Sequence, residues 1–378
     1  MRMSILIRGS LVLAMLGLAG FAGWVFSLPS DTAVADPPPV PRDEIDATLV
    51  ALRHDGDRRP LIAIVGINDA TEATDYLLPP SLLRRADIAD VVMLATEPGP
   101  VRLYPALRVE PDATIADFDA DHPEGADYVI VPAMARDDDP MVLAWLQEQS
   151  RRGAVIIAVC AGAKVVGAAG LLDGRRATTH WYYVEDLLAR SPGVDYVADR
   201  RMVADGTIVT TTGITASMPM MLTLIEAIGG RQAAAAVARD IGLERWDARH
   251  ASAAFTLTRP FATTVLANRA AFWRHEDLGI RLDPGMDEVS LALMADAWSR
   301  TYRSSALTFA ASAETVAMAN GIRVIPDRIA TDWPADLTLS TLAGEPPSVT
   351  LERTLRAIAE RYGERTRQIV AMQLEYPQ

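Results

Sequence analysis

The chain has 378 residues, half of them apolar, with 36 Lys and Arg against 49 Asp and Glu and a net charge of −13. Acidity on that scale argues against nucleic acid as a partner, because phosphate binding needs a basic surface. A single cysteine excludes an internal disulfide and a structural zinc site. The five histidines, His54, His122, His180, His250 and His275, show no ligand spacing, so no metal is expected.

At the N-terminus, Arg2 and Arg8 precede an apolar run, Leu11–Leu28, and Ser30, Asp31 and Asp36 follow it. Positive charge before and negative charge after such a run place the N-terminus in the cytoplasm and the body beyond the membrane. The run is near the minimum length for a span and long for a signal-peptide core. The expectation is a bacterial inner-membrane anchor over residues 1–29 with a periplasmic body. Ala33-Val34-Ala35 offers the alternative of cleavage near Ala35 and release into the periplasm. Residues 30–59 read as a linker, stiffened by Pro37–Pro41.

Strand and helix signals then alternate. Core strands are expected at Leu61–Ile67, Val91–Thr96, Tyr128–Pro132 and Ala154–Val159. Helices are expected at Ala73–Ala86, Met141–Arg151, Ala161–Ala169, Val184–Ala189 and Ala216–Ile228. Arg102–Val109 and the Met202–Thr212 hairpin read as peripheral strands. The pattern predicts a three-layer α/β/α sandwich over residues 60–245, with its site at the carboxyl ends of the strands. No repeat of fixed period stands out. Nor does a Gly-x-Gly-x-x-Gly turn or a phosphate loop, so no cofactor is expected.

Cys160 lies where a nucleophile would be placed. Ala154–Val159 is an apolar run of small and β-branched residues, Ala161-Gly162-Ala163 makes a turn, and a helix follows to Gly170. Such an elbow holds a side chain at the sheet edge and aims helix N–H groups at what it attacks. The same geometry predicts a lowered thiol pKa. The plainer alternative is a buried core thiol. Lys164, the only lysine, sits one turn later and reads as an exposed helix residue rather than a cation serving the thiol.

Further motifs follow in order. Gly170–Trp181 reads GLLDGRRATTHW and supplies His180. Ala204–Thr210 reads ADGTIVT, Gly213–Ala216 reads GITA, and upstream Thr71–Pro79 reads TEATDYLLP. Over about residues 60–245 this set resembles the DJ-1/PfpI (ThiJ) superfamily, of flavodoxin-like, class I glutamine amidotransferase-like fold. The resemblance is nearest to isonitrile hydratases and to the N-terminal domain of AraC-family regulators. It implies Cys160 as nucleophile, His180 as its ring partner or a polarising group, and Asp75 or Glu72 as the acid at the thiol. It also implies backbone N–H groups near Ala161 and Ala133 for developing negative charge. Ala133 and Met134 replace the glycines common at that strand end, and Pro219 stands where the regulators often carry aspartate.

Residues 246–378 read as a mainly helical extension. Pro260–Glu276 and Met286–Trp298 look like surface helices, Gly321–Asp327 like a short connecting strand, and Leu351–Gln373 like one long amphipathic helix. No helix-turn-helix is legible, so the DNA-binding half of the regulators is expected to be missing or replaced. His54, His122, His250 and His275 read as polar surface residues. The resulting expectation is a cofactor-free cysteine enzyme of hydratase, hydrolase or lyase type, acting on a small electrophilic molecule outside the cytoplasmic membrane. The alternative is a ligand- or redox-sensing domain. Expected partners are a small molecule and the inner membrane, with a homodimer left open.

Overall fold

The structure, a computed structural model, describes residues 17, 20–31, 36–341 and 344–376. Residues 11–16 and 18–19 of the apolar run and the Ala33–Ala35 site lie outside them. Within them α1 (20–27) precedes α2 (Arg42–Ala51). Among the described residues, no helix is long and apolar enough to cross a membrane.

The first half is built from β1 (Leu61–Gly66), β2 (Asp69–Glu72), α3 (Ala73–Ala86), β3 (Asp90–Ala95), β4 (Val101–Tyr104), β5 (Arg108–Glu110) and β6 (Ala113–Thr114). Then come α4 (Ile115–Asp121), β7 (Tyr128–Val131), α5 (Pro140–Arg151), β8 (Val155–Ala158) and α6 (Gly162–Ala168). The block closes with β9 (Arg176–Ala177), α7 (Val184–Arg190), β10 (Asp195–Tyr196), β11 (Met202–Asp205), β12 (Ile208–Thr211) and α8 (Ser217–Ile241).

The main sheet runs β11-β12-β8-β7-β1-β3-β6 and is parallel except for β11. Every residue of β1 and β7 is buried, as a sheet covered on both faces requires. Alternate side chains enter opposite layers. Leu61, Ala63 and Val65 meet Phe118, Trp145 and Val166 on one face, while Ile62 and Ile64 meet Tyr76, Leu77 and Leu224 on the other. The three-layer sandwich is therefore present. One expectation is corrected. The Met202–Thr212 hairpin is not peripheral, because β12 pairs in parallel with β8 beside the cysteine strand.

The C-terminal part comprises α9 (Arg259–Ala270), β13 (Glu276–Arg281), α10 (Glu288–Ser299), β14 (Ser304–Ala310), β15 (Val316–Ala317), β16 (Arg323–Val324), β17 (Arg328–Ile329), α11 (Pro347–Tyr362) and α12 (Glu364–Gln373). Besides its helices it holds a parallel sheet, β13-β14-β17, in which β13 has six residues and β14 seven. β16 and β15 extend a side sheet, β15-β16-β5-β4-β2, begun by the first half. Two helix readings change. Residues 286–298 are no surface helix, since Val289, Leu291, Ala292, Leu293 and Trp298 of α10 are buried in a core shared with α3 and α8. The long helix over 351–373 is two, broken at Gly363 with φ of 89°. His250 is buried against Phe255, not exposed.

Candidate active site

Two backbone constraints fix Cys160. Val159 N–H donates to the Val131 carbonyl at 3.0 Å, locking the end of β8 to β7. The next residue, Cys160, then turns into the left-handed region with φ of 56°. For a non-glycine residue that costs about 1–2 kcal/mol. The turn is held by Cys160 N–H donating to Thr211 Oγ1 at 3.2 Å and by Thr179 Oγ1 donating to the Cys160 carbonyl at 3.0 Å. Gly162 is required here, because a Cβ would lie 2.0 Å from the Val131 carbonyl oxygen. The side chain is buried but lines a cavity of about 580 Å³ at the strand carboxyl ends.

Both candidate acids are present, in different roles. Asp75, in the first turn of α3, is fully buried. Its Oδ2 accepts the Ala133 N–H at 3.2 Å, and its Oδ1 has no hydrogen-bond partner among the described residues. Burial pushes its pKa up to about 7, against the pull of the Ala133 N–H and of Arg300, with the Cys160 thiol also acting on it. Glu72 is the N-cap of α3. Its Oε2 accepts Asp75 N–H at 2.6 Å and Thr74 Oγ1 at 2.8 Å, and its Oε1 accepts from Arg300 Nη2 at 2.8 Å. Burial and the neighbouring Asp75 and Asp296 raise its pKa, and Arg300 opposes them. Asp75 is thus the carboxyl without a full set of partners, and Glu72 is the one that is spoken for.

The thiol itself departs from expectation. Burial first, then Asp75, Glu72 and Glu375, push the Cys160 pKa well above its ordinary value, and the Ala161 N–H only partly opposes this. The elbow therefore does not by itself make a thiolate. α6 has two turns, and the buried carboxyls around the sulfur outweigh its dipole. Ala133 is corrected as well. Its N–H is given to Asp75 rather than left free for an oxyanion, whereas the Ala161 N–H is directed at the sulfur.

His180 lines the cavity wall, but its ring nitrogens are both occupied. Nδ1 accepts Tyr182 N–H at 3.1 Å, so the proton sits on Nε2, which donates to the Gln373 carbonyl at 2.9 Å. Burial lowers its pKa and keeps it neutral at neutral pH. Lys164 is neither exposed nor a partner of the thiol. It is 15% exposed and held between Asp137 and Asp186 at 2.7 and 2.6 Å.

Several residues of this region come from the far end of the chain. Arg300, the C-cap of α10, reaches Glu72 and is held by Asp296 at 2.7 Å. Gln373 of α12 donates to the Arg300 carbonyl and accepts from Tyr302. Glu375, 3% exposed, accepts N–H groups from Trp181 and Gly213 at 2.7 and 2.8 Å. A local sequence signal for these contacts is slight, since they join residues up to 228 positions apart.

The model of the DJ-1/PfpI family matches residues 62–227. Isonitrile hydratase of Pseudomonas putida is 37% identical over 135 residues, 35% of this chain and 56% of the hydratase. The transcriptional regulator CdhR of Pseudomonas aeruginosa is 31% identical over 163 residues, 42% of this chain and 47% of the regulator. The match thus spans about half the length of each. The zebrafish (Danio rerio) homolog of Parkinson disease protein 7 is 29% identical over 182 residues, 46% of this chain and 93% of that protein. Among solved structures, a mutant of a DJ-1 superfamily protein from Salmonella typhimurium aligns with 49% of this chain and all of its own, at 25% identity and a TM-score of 0.44. The cysteine elbow and its acids therefore belong to a DJ-1/PfpI family domain, which this chain carries over residues 62–227.

Proposed function

We propose that this chain is a cofactor-free, cysteine-dependent enzyme of hydratase, lyase or hydrolase type that acts on a small electrophilic molecule. The observation that carries the reading is the pairing of Cys160, which lines the cavity, with Asp75, a fully buried carboxyl with a pKa of about 7 and one oxygen without a hydrogen-bond partner among the described residues. A base poised near neutrality is suited to taking a proton from a thiol that is otherwise held neutral. With an isonitrile, sulfur would bond to the terminal carbon while the thiol proton passes through Asp75 to that carbon. Water would then add to the C=N carbon, the C–S bond would break, and sulfur would regain a proton as the formamide leaves. The hydratase among the relatives supports this substrate class, and the tyrosine and tryptophan side chains of the cavity wall suit an apolar substituent. We further propose that the body acts outside the cytoplasmic membrane, tethered through Leu11–Leu28, on the charge flanks of that run.

A second reading rests on the raised thiol pKa and the Ala133 N–H given to Asp75, which leave the resting site without a thiolate and with one fewer free donor. Both features suit a pocket that senses a ligand or oxidant. A screen of isonitriles, glyoxals and small esters and amides separates the two. Turnover by the wild type that Cys160→Ser loses supports the enzyme. Ligands that raise the melting temperature equally in both proteins, with no turnover of any compound, favour the sensor.

A further inference from the structure

Residues 276–373 repeat the element order of residues 61–241 with the middle left out. Apart from β2, which has no counterpart, β13, α10, β14, β15, β16 and β17 follow one another as β1, α3, β3, β4, β5 and β6 do, and α11–α12 stand in the place of α8. The registers agree residue for residue. The hairpin β4–β5 pairs Val101 with Val109 and Arg102 with Arg108. The hairpin β15–β16 pairs Val316 with Val324 and Ala317 with Arg323, each position shifted by 215 residues. Likewise Leu94 faces Ala113 as Phe309 faces Arg328. Asp112 accepts the Met93 N–H at 2.8 Å as Asp327 accepts the Thr308 N–H at 2.9 Å. The sequences share Arg-Val-x-Pro-Asp at both places, residues 108–112 and 323–327. Gly230 breaks α8 with φ and ψ of 83° and 163°, and Gly363 separates α11 from α12 with 89° and 159°. A single truncated copy has no period, so no fixed-period repeat could show it.

The two copies are packed about a pseudo-twofold axis. β5 and β16 pair antiparallel with Val109 opposite Val324, the same position in both copies, so the axis passes there. Ion pairs cross it in both directions. Arg300, at the end of α10, meets Glu72, the N-cap of α3. Arg85, in the last turn of α3, meets Asp287, the N-cap of α10. Only the Glu72 end lies under a cysteine.

We propose that residues 276–373 are a truncated second copy of the unit that bears Cys160, and that its Arg300 is a positioning residue that fixes Glu72, and through it Asp75, beneath the thiol. This rests on the reading of Cys160 and Asp75 as the reacting pair. Glu72 Oε2 holds the Asp75 N–H while Oε1 is held by Arg300, so the guanidinium sets where the first turn of α3 begins. The fork is itself fixed by Asp296. The charged and titratable groups acting on Asp75 are Arg300, Asp296, Glu72 and Cys160, and those acting on Cys160 include Glu375. The site is thereby completed within one chain by an element of the second copy.

The test is the pH dependence of Cys160 alkylation by iodoacetamide in the full chain, followed by intact mass. It needs no substrate, so an absence of turnover would undo the enzymatic reading and leave this measurement standing. Arg300→Met is expected to move the inflection due to Asp75 upward by roughly one pH unit, a tenfold change in proton affinity. Arg300→Lys should move it less, and Arg85→Met, on the side without a cysteine, should leave it in place. An unmoved inflection in Arg300→Met, or an equal shift in Arg85→Met, would overturn the proposal. Should Arg300→Met misfold, Arg300→Gln, which removes the charge and keeps an amide donor, is read by the same criteria.

Discussion

Glu72, the N-cap of α3, and Glu288, one residue past the N-cap of α10, are both buried, yet their surroundings differ. Glu72 has all its oxygens engaged, and three residues on, Asp75 lies beneath Cys160. Among the described residues Glu288 accepts only the Asn320 N–H, at 3.3 Å, leaving Oε1 unpartnered, and three residues on is Leu291. The first copy continues from β6 through β7, β8 and the elbow, whereas the second passes from β17 to α11 through residues 330–346. The frame of strand, helix and hairpin is thus enough to pack and to pair. The chemistry needs the inserted strands that carry the elbow over the helix start.

The largest effect that would break this contrast is at the sulfur. Cys160→Ser is expected to reduce turnover to background with the fold retained, because the hydroxyl is far less available as an anion. Full activity in that variant, on whichever compound the wild type consumes, would remove the distinction between the two copies. Asp75→Asn comes next, with an expected loss of roughly 10²–10⁴-fold, the range for a positioned proton-transfer group. The wild-type rate should rise with pH through about 7 as Asp75 loses its proton, and this limb should vanish in the variant. The sign for stability is the opposite. Asp75 has a higher pKa folded than unfolded, so its contribution is fully present below the unfolded value and falls as pH rises toward 7. Thermal melts should therefore show Asp75→Asn above the wild type at mildly alkaline pH and level with it in acid.

His180→Ala should act mainly on stability. Its nitrogens bond to the Tyr182 amide and the Gln373 carbonyl, so each loses a partner, at about 1–3 kcal/mol per buried group left unsatisfied. The rate per folded molecule should fall tenfold or less. A larger kinetic loss would return His180 to direct chemistry. Smallest of all, Glu288→Gln should leave turnover unchanged and alter stability by no more than about 1 kcal/mol, since the amide retains an acceptor for Asn320 N–H. A marked loss of activity there would mean that the second copy carries a function of its own.

The local signals were legible where one stretch of chain completes a unit. The Ala154–Val159 run and the small-residue turn after it located the elbow, and the helix expected over Ala73–Ala86 has those bounds. The two acids were found together, but their roles were not, because spacing says nothing of which carboxyl keeps a free oxygen. The lowered thiol pKa was inferred from the helix start alone. Burial first, and then Asp75, Glu72 and Glu375 from two distant places in the chain, reverse its direction. Residues 276–373 read largely as helices because β15, β16 and β17 have two residues each, while β13 opens on two acids and holds a glycine and β14 is mostly Ser, Ala and Thr, so none shows an alternation of apolar β-formers.

The sequence by itself determined the buried strands, the elbow at Cys160 and the identity of the residues near it, because hydrophobic runs and turn glycines act over a few residues. The tertiary structure alone decided which of those residues share a cavity, where protons sit, and that Arg300 closes the acid cluster from the other side of a pseudo-twofold axis. Those outcomes depend on burial and on charges brought together across more than two hundred residues. A buried charge responds to everything packed around it, wherever in the chain each neighbour began.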